Sequence, residues 1–142
     1  MKTPGYSQTP LAKKLGIKNG FKVRFINEPE GYFELFSDLP VDLIQMADNL
    51  VKKDFIHYFT TSSSELKKDI RQLKLEIEQN GILWISWPKK AANLATDLNV
   101  NTVREIGLQS GLVDIKVCAV NEIWSGLKFV IPVKDRKYRS KV

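Results

Sequence analysis

The stretch that decides the fold is Phe55-Ile56-His57-Tyr58-Phe59-Thr60-Thr61-Ser62-Ser63-Ser64-Glu65-Leu66, continued through Ile70, Leu73 and Ile77 to Asn80-Gly81-Ile82-Leu83-Trp84-Ile85. Phe55 to Phe59 carries β-favouring side chains on both faces, as a strand inside a covered sheet requires. Ser62 and Glu65 stand at capping-box spacing, the hydroxyl accepting the amide three residues on and the carboxylate reaching back. Leu66, Ile70, Leu73 and Ile77 then repeat at helical intervals, and Asn80-Gly81 reads as the stop. Ile82 to Ile85 is a second apolar run of strand length, ended by Pro88. A strand, a helix and a strand in this order predict a parallel pair joined by a helical crossover, with the first strand central.

Upstream, Thr9-Pro10 reads as an N-cap with proline at the first helical position, opening a short helix over 10–15 that Gly16 closes. Asn19-Gly20 turns into a strand, Phe21 to Ile26, in which Phe21, Val23 and Phe25 alternate with Lys22 and Arg24. Pro29 can start a helix through Tyr32, Phe33, Leu35 and Phe36 that Asp38-Leu39-Pro40 ends, and a second strand is expected near Val41 to Met46. Asp48 to Lys53 reads as a loop. Downstream, a polar crossing from Lys89 to Asn99 leads to a helix with Val100, Val103, Ile106 and Gly107 on one side, closed by Gly111. Leu112 to Val120 and Leu127 to Ile131 are joined by too few residues for a parallel crossover, so they form an antiparallel hairpin.

The chain has 142 residues, 43% apolar and 27% charged, which suits one α/β domain over 1–133 and a basic tail over 134–142. Its single Cys118 excludes an internal disulfide, and with the single His57 leaves too few ligands for a structural zinc site. The longest apolar runs are too short for a membrane span and the N-terminus opens no signal segment, so a cytoplasmic protein is expected. The net charge of +6 is concentrated at the ends: residues 1–27 contribute +6, residues 134–142 contribute +4, and the middle carries −4. A duplex-binding domain spreads its basic residues over a folded face. Nucleic acid is therefore not the expected partner, and contact through the basic termini is kept as a third reading.

In an open parallel sheet, ligands bind beyond the carboxyl ends of the strands. Four segments fall there: Asn27-Glu28-Pro29, Ala47-Asp48-Asn49, Thr60-Thr61-Ser62-Ser63 and Ser86-Trp87-Pro88-Lys89-Lys90. The hydroxyls of Thr60, Thr61, Ser62 and Ser63 beside a helix N-terminus suit an anion, against plain capping as the alternative. Trp87 with Lys89 and Lys90 suits a flat ring bearing an acidic group, against packing and solvation. Asp97 is a weak catalytic candidate with Lys89; it either orients one of the lysines or caps the helix that starts near Asn99. His57 reads as a satisfied core histidine and Cys118 as a small buried hydrophobe. No G-x-G-x-x-G follows the first strand, and no P-loop or G-x-S-x-G occurs. Side chains at Asn27-Glu28-Pro29 are expected to crowd the turn against a nucleoside cofactor. Glu28 is misplaced for a ribose-binding acid, a role that belongs to the end of the second strand, where Asp48 is the candidate.

A terminal β-hairpin on such a sheet resembles the ending of methyltransferase-like Rossmann domains, with one strand-helix unit missing. The expected fold is accordingly a Rossmann-like three-layer sandwich, its mostly parallel sheet of about six strands ending in an antiparallel hairpin. More specifically, Gly5-Tyr6-Ser7, Thr9-Pro10-Leu11, Lys14 to Lys18, Trp84 with Ser86 to Lys90, Thr96-Asp97-Leu98, Gly111 to Asp114, Lys116 to Val120 and Trp124 to Val130 together resemble a bacterial family catalogued as a domain of unknown function, number three-zero-five-two. That resemblance carries no activity onto Lys89 or Asp97. Where the family has an acid ahead of the hairpin turn this chain has Asn121, which speaks against an essential carboxylate there.

The first functional reading is a non-catalytic binding or regulatory module, without cofactor or metal, that takes a small anionic or aromatic ligand, or an acidic protein segment, at the third and fourth strand ends. The alternative is a small transferase related to S-adenosylmethionine-dependent methyltransferases with an atypical cofactor site.

Overall fold

The computed structural model describes residues 9–137. Its strands are β1 (Lys22–Ile26), β2 (Ile44–Gln45), β3 (Lys53–Phe59), β4 (Ile77–Pro88), β5 (Val113–Ala119) and β6 (Trp124–Val130), and its helices are α1 (Leu11–Leu15), α2 (Ser63–Glu76) and α3 (Val100–Gln109). One six-stranded sheet runs in the order β2-β1-β3-β4-β6-β5. The pairings β1–β2, β1–β3 and β3–β4 are parallel; β6 is antiparallel to both β4 and β5. The Rossmann-like α/β reading holds, and β3 is central. The last strand inserts between β4 and β5, a placement the hairpin alone does not dictate.

Two apolar layers cover the sheet. On one face Ile56, Tyr58, Leu83, Ile85, Leu127 and Phe129 pack with the α2 stripe Leu66, Ile70 and Leu73 and with Val103 and Ile106 of α3. On the other, Val23, Phe55 and Trp84 pack with Leu11, Ala12 and Leu15 of α1 and with Phe36 and Leu39. Trp84 is fully buried, and its Nε1–H donates to the Leu15 carbonyl at 2.8 Å, tying α1 to the sheet centre. A helix-sized patch of contacts cannot come from five residues alone, so irregular chain completes that layer.

Local departures from the sequence reading have identifiable causes. Pro10, rather than Thr9, precedes α1, and the first-turn amides of Ala12 and Lys13 are taken by the Asp38 carboxylate at 2.9 and 3.0 Å. The helix expected from Pro29 to Phe36 is a single 3₁₀ turn at Phe33–Leu35. Gly31 there has φ 80°, and the rings of Tyr32 and Phe33 turn onto Phe25 at centroid distances of 5.4 and 5.1 Å. Tertiary aromatic packing overrides the weak helical pattern. The strand expected over Val41–Met46 contracts to Ile44–Gln45, paired with Lys22 and Val23 at the sheet edge.

Helix α2 ends at Glu76, short of Asn80-Gly81. Glu76 is buried, and its Oε1 accepts from Lys53 Nζ at 2.8 Å and Arg24 Nη1 at 2.7 Å, which pins the helix end to the sheet. Ile77 therefore leaves the helical stripe and pairs with Lys53 as the first residue of β4. Of the tail expected from 134, residues through Lys137 are described: Arg136 Nε donates to the Ile131 carbonyl and the Lys137 amide to Gln79 Oε1. Residues 138–142 lie outside the described part.

Candidate functional site

The connection leaving β1 packs on the α1 face, whereas the one leaving β3 enters α2 on the opposite face. Adjacent parallel strands whose connections diverge open a crevice at their carboxyl ends. The switch point thus lies between β1 and β3, one gap away from the β3–β4 ends that the hydroxyl and lysine motifs single out.

On the β1 side, Ile26 is followed by Asn27 with φ 59°, one of two described non-glycine residues at positive φ. Asparagine tolerates this left-handed conformation better than most side chains. Its Nδ2 donates to the Phe59 carbonyl at 3.2 Å, so the side chain is drawn against the end of β3. The turn therefore takes a left-handed backbone shape that glycine favours, with the Asn27 side chain turned toward β3 and Glu28 and Pro29 following it.

A cleft of ≈ 400 Å³ runs along the α2 face of β1, from Ile26, Tyr58 and the Ala47–Asn49 loop after β2 back past Arg24 and Asp69 to Gln72, Leu73 and Glu76 in the last turns of α2. A second groove of ≈ 370 Å³ runs along Phe25–Asn27 and Gln45–Ala47. Both volumes are in the range of small-molecule sites. The cleft exists because the chain crosses from β2 to β3 as a loop, without a helix to fill the space beside α2. Asp48 is exposed at the rim of this cleft, its Oδ1 accepting the Leu50 amide at 2.8 Å and its main-chain carbonyl accepting from Lys53 Nζ. Tyr58 donates its hydroxyl to Asp69 Oδ2 at 2.7 Å; burial, then the Asp69 carboxylate, raises the phenol above its ordinary range. Arg24 is engaged with Glu76. Burial would raise the Glu76 carboxyl, but hydrogen bonds from Lys53, Arg24 and Gln72 outweigh it and hold the pKa below the usual value.

The motif residues are placed as follows. Thr60 is buried and bonds Glu65 through its hydroxyl, which also accepts the Ser62 amide. Glu65 thus closes on Thr60 instead of reaching back to Ser62, leaving half of the capping box, the Glu65 amide on Ser62 Oγ at 3.2 Å. The Thr61 carbonyl accepts from Thr96 Oγ1 at 2.7 Å. Ser63 is held by Asp97, its amide on Oδ1 at 2.8 Å and its hydroxyl on Oδ2 at 2.6 Å. These two bonds hold the Asp97 carboxyl below its ordinary pKa. Asp97 therefore caps α2, and α3 is capped by Asn99, which accepts the Thr102 amide. Trp87 is 5% exposed in the α2–α3 core, so its ring faces packed side chains; the Lys89 amide donates to the Ile123 carbonyl, and Lys90 is exposed. The structure brings Thr60–Ser63 and Asp97 together and leaves Trp87 away from solvent.

His57 is fully buried. Its Nδ1 meets Tyr32 Oη at 2.7 Å and its Nε2 meets Ser86 Oγ at 2.8 Å, and burial lowers its pKa to about 3. The imidazole is neutral at physiological pH and satisfied on both nitrogens. Among the described residues no group of three His, Cys, Asp or Glu is placed to hold a metal, and no helix is long and apolar enough to cross a membrane. The Lys53–Glu76–Arg24 network and the Tyr58–Asp69 pair escaped the sequence reading. A signal for the former exists: Glu76 continues the apolar spacing of Ile70 and Leu73, where a carboxylate must be buried and paired.

No family model and no curated protein matches the chain. Solved structures match its fold. The magnesium protoporphyrin IX methyltransferase of Synechocystis PCC 6803, with bound SAH, superposes with a TM-score of 0.60 at 13% identity, covering 82% of this chain and 76% of that one. A SAM-dependent methyltransferase from Aquifex aeolicus gives 0.56 at 16% identity, covering 84% and 87%. The ribosomal protein L11 methylase of Lactobacillus delbrueckii subsp. bulgaricus gives 0.56 at 13%, covering 84% and 73%. At such identities the likeness establishes the architecture of SAM-dependent methyltransferases and leaves the chemistry to the site.

Proposed function

We propose that this chain is a small methyltransferase-type protein that binds S-adenosylmethionine, or a closely related nucleoside, in the cleft beside β1 and the loop that follows β2. The observation that carries the reading is Asp48. It stands at the end of β2, lines the ≈ 400 Å³ cleft beside Ile26, and follows the β1 turn at about the 20-residue spacing used by ribose-binding acids in dinucleotide folds. The residues present fit such a ligand in three respects: the left-handed backbone at Asn27, the Asp48 carboxylate as acceptor for ribose hydroxyls, and the Ile26 and Ala47 side chains as apolar cover. The departure from the usual fingerprint is the set Asn27-Glu28-Pro29 in place of glycines, of which Asn27 is drawn aside by its bond to the Phe59 carbonyl.

When bound, S-adenosylmethionine supplies a methyl group on a positively charged sulfonium. The cleft presents Asp48, Asp69 and Glu76 beside Arg24, which is engaged with Glu76, so Asp48 and Asp69 are the charges left to meet a cationic or hydroxyl-bearing ligand. The same crevice serves the non-catalytic reading, which is favoured by the engagement of Thr60, Ser62, Ser63, Asp97 and His57 in holding the fold. Membership of the family numbered three-zero-five-two, on the segments quoted above, forms part of this proposal. A thermal-shift panel of S-adenosylmethionine, SAH, adenosine, nucleotides and simple organic anions tests it. A ligand at 100 times its Kd adds about 2.7 kcal/mol to the folded state. Stabilisation by the adenosyl compounds supports the reading; stabilisation by anions alone overturns it in favour of the module.

A further inference from the structure

The cross-strand register places Lys116 of β5 directly opposite Lys128 of β6, and Lys128 opposite Trp84 of β4. Like charges directly opposite each other across a ladder destabilise it. Lys128 is half-buried in an interior strand; burial first, then the charges of Lys116 and Lys18, push its pKa down, which brings Lys18 into the same group. Lys14 joins from α1: its Nζ donates to the Ala119 carbonyl at 2.8 Å. The charges of Lys14 and Lys116 both reach the Cys118 thiol, whose pKa burial raises and they lower. The ion pairs among the described residues, Lys22–Glu78, Arg24–Glu76, Lys53–Glu76 and Arg104–Asp114, take none of these four lysines. Lys116 and Lys128 thus meet through strand register and Lys14 reaches the end of β5 on the α1 side of the sheet, away from the cleft beside α2, with the charge of Lys18 felt at Lys128.

We infer that Lys14, Lys18, Lys116 and Lys128 form a docking surface for the phosphate backbone of nucleic acid, read without sequence preference. A row of phosphates supplies closely spaced negative charge that relieves the Lys116–Lys128 repulsion and releases counterions. The patch was hidden in the linear charge count because Lys116 and Lys128 lie in the acid-rich middle and meet only through strand register.

The test is anisotropy of a labelled 30-mer duplex and a single strand titrated with the full chain over a series of salt concentrations. Four neutralised phosphates give a log–log salt slope of about −4 on duplex. Lys116→Gln with Lys128→Gln is expected to bring the slope to about −2 while leaving Tm unchanged or higher, an outcome that lysines needed for packing would not produce. Lys18→Gln, in a loop outside the sheet, is expected to lower the slope by about 1 and keeps the test valid if the double variant fails to fold. Lys67→Gln with Lys68→Gln on α2 makes the same charge change elsewhere and is expected to have little effect. Lack of binding at low salt, equal loss in the α2 variant, or lysine-dependent binding to anionic lipid vesicles in place of nucleic acid overturns the inference.

Discussion

The Asp97 carboxylate holds both the amide and the hydroxyl of Ser63, at 2.8 and 2.6 Å across a separation of 34 residues. The positive end of α2 is thereby supplied with an anion from the chain itself. Asp97→Ala is expected to lower Tm, speed exchange of the Ser63 amide, and make the protein newly stabilised by inorganic phosphate, which takes the vacated position. Thermal melts with and without phosphate check this. If phosphate stabilises the native protein as strongly as the variant, the self-capping account fails.

His57 sets a pH dependence. Its folded pKa of about 3 lies below the 6.5 of the unfolded chain, so the unfolded state takes up the proton first. Stability is fully present above about pH 6.5 and falls by about 1.4 kcal/mol per pH unit down to about 3. Between pH 7 and 5, where most carboxylates stay ionised, urea unfolding should show a loss of about 2 kcal/mol. His57→Gln should flatten that interval, whatever its effect on stability at pH 7. An unchanged slope in the variant would place the titration elsewhere.

The parts of this fold legible from sequence are those written in periodicity. Leu66, Ile70 and Leu73 fix α2, and the apolar runs Phe55–Phe59 and Ile82–Ile85 fix the two central strands. Register and long-range polar pairing are not written there. Asp97 was legible as a capping residue, yet which helix it caps depends on how the loop from Lys89 folds back over α2. Tyr32 and Phe33 fit a helix stripe as well as the aromatic cluster they enter, and the φ of Gly31 decides between them. At the site, Asp48 was recognisable by its place after the second strand, whereas the cleft beside it arises from a missing crossover helix. Trp87 beside Lys89 and Lys90 looked like a stacking platform because burial of a strand-end tryptophan is invisible in composition.

Lys53 and Glu76 form a nearly solvent-free ion pair, 0% and 2% exposed, with Arg24 sharing the carboxylate. Removing one partner leaves a buried charge unmatched. Lys53→Met should cost about 3–5 kcal/mol in chemical denaturation, and adding Glu76→Leu should recover most of it. Because the Glu76 pKa is held below its ordinary value, its contribution is present above about pH 4.5 and is lost as pH falls through the depressed value. Strict additivity of the two substitutions would show that the pair is not coupled.

Gly107 of α3 packs against Phe129 of β6 so closely that a Cβ would lie 2.1 Å from the ring carbon Cε1. Gly107→Ala should destabilise by about 1–3 kcal/mol through overpacking, despite alanine's better helix propensity. Phe129→Leu in the same chain should relieve part of that cost. A stabilising Gly107→Ala would mean the α3–β6 contact is looser than the structure has it.

The central claim is that Asp48 and the β1–β2 cleft hold an adenosyl ligand. Calorimetric titration of SAH into the full chain, beside the Asp48→Ala variant, tests it most directly. The account expects saturable one-to-one binding that weakens by about tenfold or more when Asp48 is removed, as loss of a charged hydrogen-bond acceptor implies. No heat and no saturation with the native protein, or equal affinity in the variant, would contradict it.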